Sequence, residues 1–116
     1  MIENLFSFLK TIYPNDRVCL SYSDKVTEPG LSVIFYEDGI DRNRFKDLEG
    51  TTNIQVGTYV VQIWHDSFKE VIDSSQLLID RAEGTIFQIT SIRSVWKDIR
   101  KRKWHRDITI EIMEDV

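Results

Sequence analysis

The sequence has one cysteine among its 116 residues and no long apolar run, and both scarcities exclude classes of protein. Cys19 alone cannot form an intramolecular disulfide, which is typical of chains kept in a reducing compartment. Because Cys19 lies in an apolar stretch, we expect a buried core thiol. No run approaches the roughly 20 apolar residues that span a bilayer. The first twelve residues also lack the features of a signal peptide, so no membrane partner is expected.

Groups for catalysis or for holding a cofactor are equally scarce. His65 and His105 are the only histidines, and neither stands at a metal-binding spacing. No glycine-rich phosphate loop is present, so no cofactor is expected. Asp38 and Asp41 are predicted to serve turns. His65 is predicted to be a partly exposed residue at a strand end, which leaves His105 as the one candidate catalytic base. A single candidate is not the converging set of groups that an enzyme needs. We therefore expect a non-enzymatic protein without catalytic, cofactor-binding or metal-binding residues.

Composition predicts one ordinary globular domain covering residues 1–116. The chain is 41% hydrophobic and 29% charged, which is usual for a domain of this size. Such a chain buries about two-thirds of its unfolded surface, enough for a core without disulfides or metal.

Two amphipathic helices are predicted, the longer over residues 67–83. Ser67 and Glu70 match a capping box at its start, and Gly84 suits a left-handed C-cap. The apolar stripe comprises Phe68, Val71, Ile72, Ser75, Leu78, Ile79 and Ala82. Phe68→Asp or Ile72→Asp is therefore expected to unfold the protein. A first helix is predicted over residues 2–12, ended by the sequence Tyr-Pro-Asn that follows.

Five strands are predicted from alternation and turn residues, over residues 17–22, 31–36, 54–65, 85–96 and 105–113. The predicted order is α-β-β-(arm)-β-α-β-β, an α+β fold with a largely antiparallel sheet, one main amphipathic helix and an N-terminal helix. Strand 31–36 is apolar enough to be covered on both faces. In strand 54–65 the alternating apolar residues change from one face of the strand to the other near Gly57, which predicts a β-bulge there. Val60 and Trp64 lie on its outer face, so either a second layer of this chain or another subunit must cover them.

Residues 38–53 form the longest stretch without periodicity. They are predicted to be either a loop that orders on binding or a two-stranded β-arm. Arg42, Arg44 and Phe45 in this arm are candidate partner contacts.

A basic window extends from Arg93 to Arg106, with seven Lys or Arg against one Asp. Since the whole chain carries a net charge of -4, this window is +6 and the remainder -10. A polar hairpin over residues 97–106 is predicted, with Arg100, Arg102, Lys103 and Trp104 as candidate contacts. It can face DNA or an acidic neighbour, including another copy of the chain. A nucleic-acid-binding module therefore remains an alternative, as does, more remotely, a small enzyme or toxin using His105.

The order of elements resembles the tail-terminator (tail-completion) proteins of long-tailed bacteriophages. The resemblance covers nearly the whole chain and is carried by the strand sequence PGLSVIFY at 29–36, by YVVQIWHDS at 59–67 running into the main helix, and by the closing strands 86–96 and 105–113.

The resemblance implies a homo-oligomeric, hexameric ring that caps the tail tube and joins it to the head. Its partners would be the tail-tube protein, a head-tail connector or stopper protein, and DNA in the lumen. Its location would be the head-proximal end of the virion tail, after assembly in the host cytoplasm. No cofactor is implied.

Overall fold

Two α-helices and six strands are found in residues 2–21, 24–42 and 54–115, the parts of the chain that the structure, a computed structural model, describes. Side chains are described at residues 2–21, 26–40 and 55–113. The elements are α1 Ile2–Ile12, β1 Arg17–Leu20, a short 3-10 helix Asp24–Thr27, β2 Ser32–Arg42, β3 Ile54–His65, α2 Phe68–Ala82, β4 Gln88–Ile92, β5 Trp96–Asp98 and β6 Lys103–Asp115. The predicted α+β class is confirmed.

The strands form one mixed sheet in the order β1-β2-β3-β6-β4, with β5 paired to the start of β6. β1 runs parallel to β2, and every other pairing is antiparallel. The predicted largely antiparallel sheet is therefore correct, with one parallel pair at its edge.

Both helices pack on the same face of the sheet. Leu5 and Leu9 of α1 and Val71 and Leu78 of α2 are completely buried there. They meet inward residues of the strands, namely Val33, Phe35, Tyr59, Val61, Ile63, Ile108, Ile110 and Ile112. Each fully buried aliphatic side chain stabilises the fold by about 1.5–3 kcal/mol before entropy. Tyr13 ties the helices together, because its hydroxyl donates to the Ser74 carbonyl at 2.5 Å.

Neither of the two described α-helices covers the other face of the sheet, which we call the open face. At one end of it Val26, Ile34 and Trp64 form a small second cluster, contributed partly by the 3-10 helix. β2 is thus buried on both sides there, as predicted. Cys19 pairs with Ile34 on this face. It is half-buried, whereas a fully buried core thiol was expected.

The main helix begins and ends where predicted, and its fully buried residues all belong to the predicted apolar stripe. The fully buried side chains of α2 are Val71, Ser75, Leu78 and Ala82. Phe68 is 47% exposed and packs edge-on against Trp104, so it lies at the edge of the buried stripe, and the effect of Phe68→Asp stays a prediction. Periodicity identifies a stripe, but it does not say which edge of the stripe faces the core.

The caps of α2 differ in one detail from the predicted capping box. The Ser67 hydroxyl accepts from the Glu70 N–H at 3.5 Å. The Ser67 N–H, however, donates to Nδ1 of His65 at 3.0 Å, so His65 takes the place predicted for the Glu70 carboxylate. Gly84 has a φ of 77°, as its predicted left-handed role requires.

The prediction of a β-bulge near Gly57 in β3 is wrong. β3 and β6 pair without any shift from Ile54 to His65, whereas β2 shifts register between Glu37 and Gly39. The extra residue is Asp38, close to Gly57 across the strand pair. Without a bulge in β3, Val56 lies on the same face as Val60 and Trp64, where it is completely buried.

The beginning of the predicted arm is regular strand. β2 continues to Arg42, whose backbone position pairs with Gln55 of β3. Arg44 and Phe45 lie outside the described residues, as does the rest of the predicted arm tip.

The predicted fourth strand is broken into β4 and β5, separated by residues 93–95. The last strand begins at Lys103, two residues before its predicted start. A tight turn connects β5 to β6, in which Oδ1 of Asp98 accepts from the Lys101 N–H at 3.0 Å. Arg102 closes the turn with a φ of 57°.

Candidate assembly surfaces

Trp64 belongs to an aromatic stack on the open face, built by Trp64, His105 and Trp96. The His105 ring lies 4.3 Å from the Trp64 ring and 4.6 Å from the Trp96 ring, between centroids. His105 and Trp64 are 6% and 5% exposed, whereas Trp96 is 59% exposed. Trp64 is therefore covered by its own chain. Trp96, which we did not select from the sequence, is the member that solvent reaches.

Lys103 is an internal residue of the fold. It is 4% exposed, and its ammonium group donates to the Asp66 carboxylate and to the Glu28 carbonyl, the latter at 2.9 Å. Asp66 also accepts from the Gly30 N–H at 2.9 Å. These hydrogen bonds, that from Lys103 above all, hold the pKa of Asp66 below its usual range. Lys103 thus joins three turns at one end of the sheet.

The turn after β5 presents the exposed cations, together with an exposed apolar side chain. Lys97, Arg100 and Arg102 are exposed, and Ile99 is 85% exposed. Lys101 lies 3.7 Å from the Asp98 carboxylate and 5.8 Å from the centre of the Trp64 ring. We call residues 97–102 the basic tip.

Trp104 is half-buried on the helix side of the sheet. Its ring meets Phe68 edge-on at 5.2 Å, and the Lys97 ammonium lies 5.7 Å from its centroid. Trp104 packs against the main core, so part of its ring already serves the fold.

The two ends of the sheet differ in charge. The basic tip lies at the start of β6, and acidic residues gather towards the end of that strand. Glu37 and Asp38 of β2 are exposed there, and Glu111 lies nearby on β6. The backbone places Asp41, Glu114 and Asp115 at the same end. Thirteen residues of β6 separate these ends by about 40 Å. Sequence separation conceals this arrangement, because the acidic groups come from two distant segments.

Val60 lies near the middle of the open face. It pairs with Tyr36 on one side and Thr109 on the other, and all three are half-buried. Burial, together with the charges of Asp107 and Asp38, raises the pKa of Tyr36. This part of the face combines aliphatic and hydroxyl groups that solvent partly reaches.

Both outer strands of the sheet end in exposed apolar residues. Leu20 of β1 is 58% exposed and Ile92 of β4 is 46% exposed. Phe6 beside β1 and Ile86 before β4 are 42% and 55% exposed. The sequence analysis placed the strands but could not identify outer strands, because strand order is a tertiary property.

Among the described residues, no group of three or more His, Cys, Asp or Glu side chains is placed to hold a metal ion. His65 is half-buried at the end of β3, in line with the prediction. Within the same residues, neither helix has the length and apolar character needed to cross a membrane.

These features define a two-layer α+β domain, with both α-helices on one face of a mixed sheet whose outer strands, among the described residues, are β1 on one side and β4 and β5 on the other. A chain from the virion of a native gene transfer agent (GTA) particle has a similar structure. The TM-score is 0.59 at 12% sequence identity, and the match covers 93% of this chain and 84% of that chain. At this identity the likeness shows a shared fold. No protein-family model and no curated protein matches the chain.

Proposed function

We propose that this chain is a non-enzymatic structural subunit of a virion or phage-like particle, acting as a tail terminator that forms a ring on the tail tube. The observation that carries the proposal is the fold shared with a gene transfer agent virion chain over nearly the full length of both. The family resemblance of the sequence points to the same class of particle.

The shape of the sheet supports assembly into a ring. Its two outer strands, β1 and β4, are unlike each other, and both carry exposed apolar residues. Contact between unlike surfaces of identical copies is heterologous and closes as a ring when the rotation allows. A hexamer is the proposed stoichiometry.

The oppositely charged ends support a joining role. A ring of parallel copies carries the basic tips on one rim and the acidic residues on the other. Such a ring has two chemically different rims and can bind the tail-tube protein on one side and a connector or stopper protein on the other. Assembly then proceeds by surface complementarity, at the head-proximal end of the tail and in the host cytoplasm.

The proposed contact residues come from the open face, the arm, the basic tip and the helix side of β6 next to that tip. They are Val60, Arg42, Arg44, Phe45, Arg100, Arg102 and Trp104. Trp64 and Lys103 support the fold from inside and are not included.

Mass measurement in solution, alone and with tail-tube protein, tests the proposal. A hexamer of the 13.7 kDa chain has a mass of about 82 kDa. With tube protein present, electron microscopy should show the ring at one end of each tube, with no further growth there. A chain that stays monomeric at every concentration and does not bind tube ends would refute the proposal.

A nucleic-acid-binding module remains the second candidate, because residues 96–102 hold the exposed cations Lys97, Arg100 and Arg102 and the exposed ring of Trp96. Cations beside an exposed aromatic ring suit phosphate contact and base stacking. This candidate predicts binding of labelled DNA that weakens with salt. Arg100→Ala combined with Arg102→Ala should lower the salt slope by about 2, at roughly 0.9 for each phosphate contact.

Lys69→Ala is the matched control, since Lys69 is exposed on α2, away from the basic tip. Lys103→Ala is unsuitable because it removes an internal contact. Absence of any DNA shift at low salt would exclude this second function.

A further inference from the structure

A cavity lies on the open face, where the connection between β4 and β5 runs beside β6. The pairing of β6 with these strands is interrupted between Ile108 and His105. Opposite the two residues in this gap stand three residues, 93–95, so one residue is extra, as in a β-bulge. The Arg93 N–H donates to the Asp107 carbonyl at 2.9 Å and fixes the start of the connection. The cavity has a volume of about 530 Å³ and is lined by Arg93, Ser94, Trp96 and Asp107.

Asp107 brings an unpartnered carboxylate oxygen to this cavity. Its Oδ1 atom lies 3.6 Å from Nδ1 of His105, which is too long for a hydrogen bond. Both atoms are buried, and neither makes a hydrogen bond with any residue that the structure describes. His105 is 6% exposed, whereas the Asp107 side chain is 33% exposed, so a group in the cavity can reach the carboxylate. Because buried polar atoms are normally paired, this arrangement indicates a site for a hydrogen-bond donor.

Trp96 supplies an aromatic surface in the same cavity. Its ring is 59% exposed, although one part packs on His105 at 4.6 Å between centroids. His105 is itself stacked on Trp64 at 4.3 Å with an angle of 19° between the rings. The exposed indole therefore rests on two buried rings and provides a fixed platform for another planar group.

The charges around the cavity decide which planar group suits it. A guanidinium of a protein partner and a base of a nucleic acid can both stack on Trp96 and donate N–H groups to Asp107. Arg93, however, is exposed in the cavity wall, and the basic window that begins there has a net charge of +6. These cations repel a guanidinium and attract a phosphate, which favours a nucleotide.

We propose that this cavity binds the base of an unpaired nucleotide, stacked on Trp96, with a base N–H donating to the Asp107 carboxylate and the phosphate at Arg93. A base inside a duplex is stacked on both faces and paired at its edge, so duplex DNA does not fit the cavity. The inference goes beyond the proposed structural role, and it concerns a site separate from the phosphate contacts of the basic tip.

Fluorescence anisotropy with a labelled oligodeoxythymidine tests the site, at a length of about 12 nucleotides, within the usual span of single-strand sites. A duplex of the same length at the same salt is the comparison, and the single strand should bind at least about tenfold tighter. Trp96→Leu should weaken single-strand binding by about 5- to 150-fold, the effect of one base–aromatic stack, and leave duplex binding unchanged. Leu77→Ala is the matched control, since it shortens an exposed apolar side chain on α2.

Asp107→Ala separates base recognition from attraction between charges. If the protein bound phosphates alone, removing a carboxylate would strengthen the binding of every DNA. The proposed site predicts the opposite for the single strand, whose affinity should fall about tenfold with the lost hydrogen bond, while duplex affinity stays the same or rises. Unchanged thermal unfolding of the variant shows that its fold is intact.

A chemical probe repeats the test on the unaltered protein. Methylation of thymine at its ring N–H removes the one donor of the base and leaves its ring and the phosphates in place. The methylated strand should bind about tenfold more weakly than the ordinary strand. Asp107→Ala should no longer distinguish the two strands.

Three results would overturn the site. They are equal affinity for single strand and duplex, stronger single-strand binding by Asp107→Ala, and no binding of the single strand at low salt. None of them affects the proposed ring, which mass measurement tests separately. Conversely, a chain that stays monomeric but shows the predicted losses with Trp96→Leu and Asp107→Ala would keep the site and lose the proposed structural role.

Discussion

Replacing Asp66 by Asn tests how the internal ammonium group of Lys103 is stabilised. The substitution removes the negative charge and leaves one oxygen, which can replace only one of the two acceptors, Oδ2 for the Gly30 N–H or Oδ1 for the Lys103 ammonium group. Lys103 is 4% exposed, while the side chain of Asp66 is 47% exposed. The cost in unfolding free energy therefore depends on which charge is left without its partner, the buried ammonium group or the half-exposed carboxylate.

The magnitudes follow from this difference in burial. Removing one partner of a buried ion pair costs about 3–5 kcal/mol, because a charge is left uncompensated. In Asp66→Asn the uncompensated charge is the buried ammonium group, and partial exposure of the pair reduces the expected loss to about 2–3 kcal/mol. In Lys103→Met the remaining charge is the half-exposed carboxylate, which water and the Gly30 N–H still solvate. We expect that variant to lose at most about 1 kcal/mol.

Urea unfolding, monitored by tryptophan fluorescence, measures these losses in unfolding free energy. The slope of that free energy against urea concentration must be the same in each variant. Lys97→Met is the matched control, since Lys97 is exposed and its loss should change stability by less than about 0.5 kcal/mol. The double variant Asp66→Asn with Lys103→Met should be close to Lys103→Met alone. If Lys103→Met is as destabilising as Asp66→Asn, burial of the ammonium group is not the origin of the effect.

Three further predictions concern stability. The pKa of Asp66 lies below its usual range, so as pH falls below about 4 the unfolded chain takes up that proton first. The free energy of unfolding should decline there, and Asp66→Asn should flatten the decline in acid titrations. Leu78→Ala should cost about 2–5 kcal/mol and Phe68→Ala clearly less in urea unfolding, because only Leu78 is completely buried. Equal losses would contradict the observed orientation of α2. Ser67→Ala should lower the melting temperature by removing the N-cap, worth about 1 kcal/mol, whereas Glu70→Ala should change it little.

Local chemistry predicted the elements of this fold well. The bounds of α1 and β3 agree with the prediction, because proline ends one and alternating apolar residues, with one change of side near Gly57, identify the other. Gly84 adopts the positive φ that its position after the helix suggested. Each of these features depends on neighbours within a few residues, which a single sequence displays directly.

Tertiary features were less accessible. The identity of the outer strands and the position of the β-bulge both depend on pairing between distant segments. Lys103 illustrates the difficulty, since it stands among exposed cations in the sequence. Its strand position turns it towards Asp66, 37 residues away, and that contact buries it.

The sequence predicted which kinds of residue form the candidate contact surfaces, but not all of the individual residues. The basic window does form an exposed tip with Arg100 and Arg102, but Lys103 leaves that set. Trp64 and Trp96 carry the same residue type at similar strand ends, and only Trp96 is exposed. Periodicity cannot separate them, because the cover over Trp64 comes from the distant residues Val26 and Ile34.

The pairing of β3 with β6 has a consequence for the order in which the chain folds. Their partners are 39 residues apart in sequence at His65↔Trp104 and 61 apart at Ile54↔Asp115. Loop closure over such spans is slow, and proteins dominated by it fold in milliseconds to seconds. During synthesis β3 and α2 emerge long before β6. The edge of β3 that pairs with β6 therefore stays unpaired until β6 has left the ribosome. We expect the chain to be most prone to aggregation in that interval, and truncation before residue 103 to leave it unfolded.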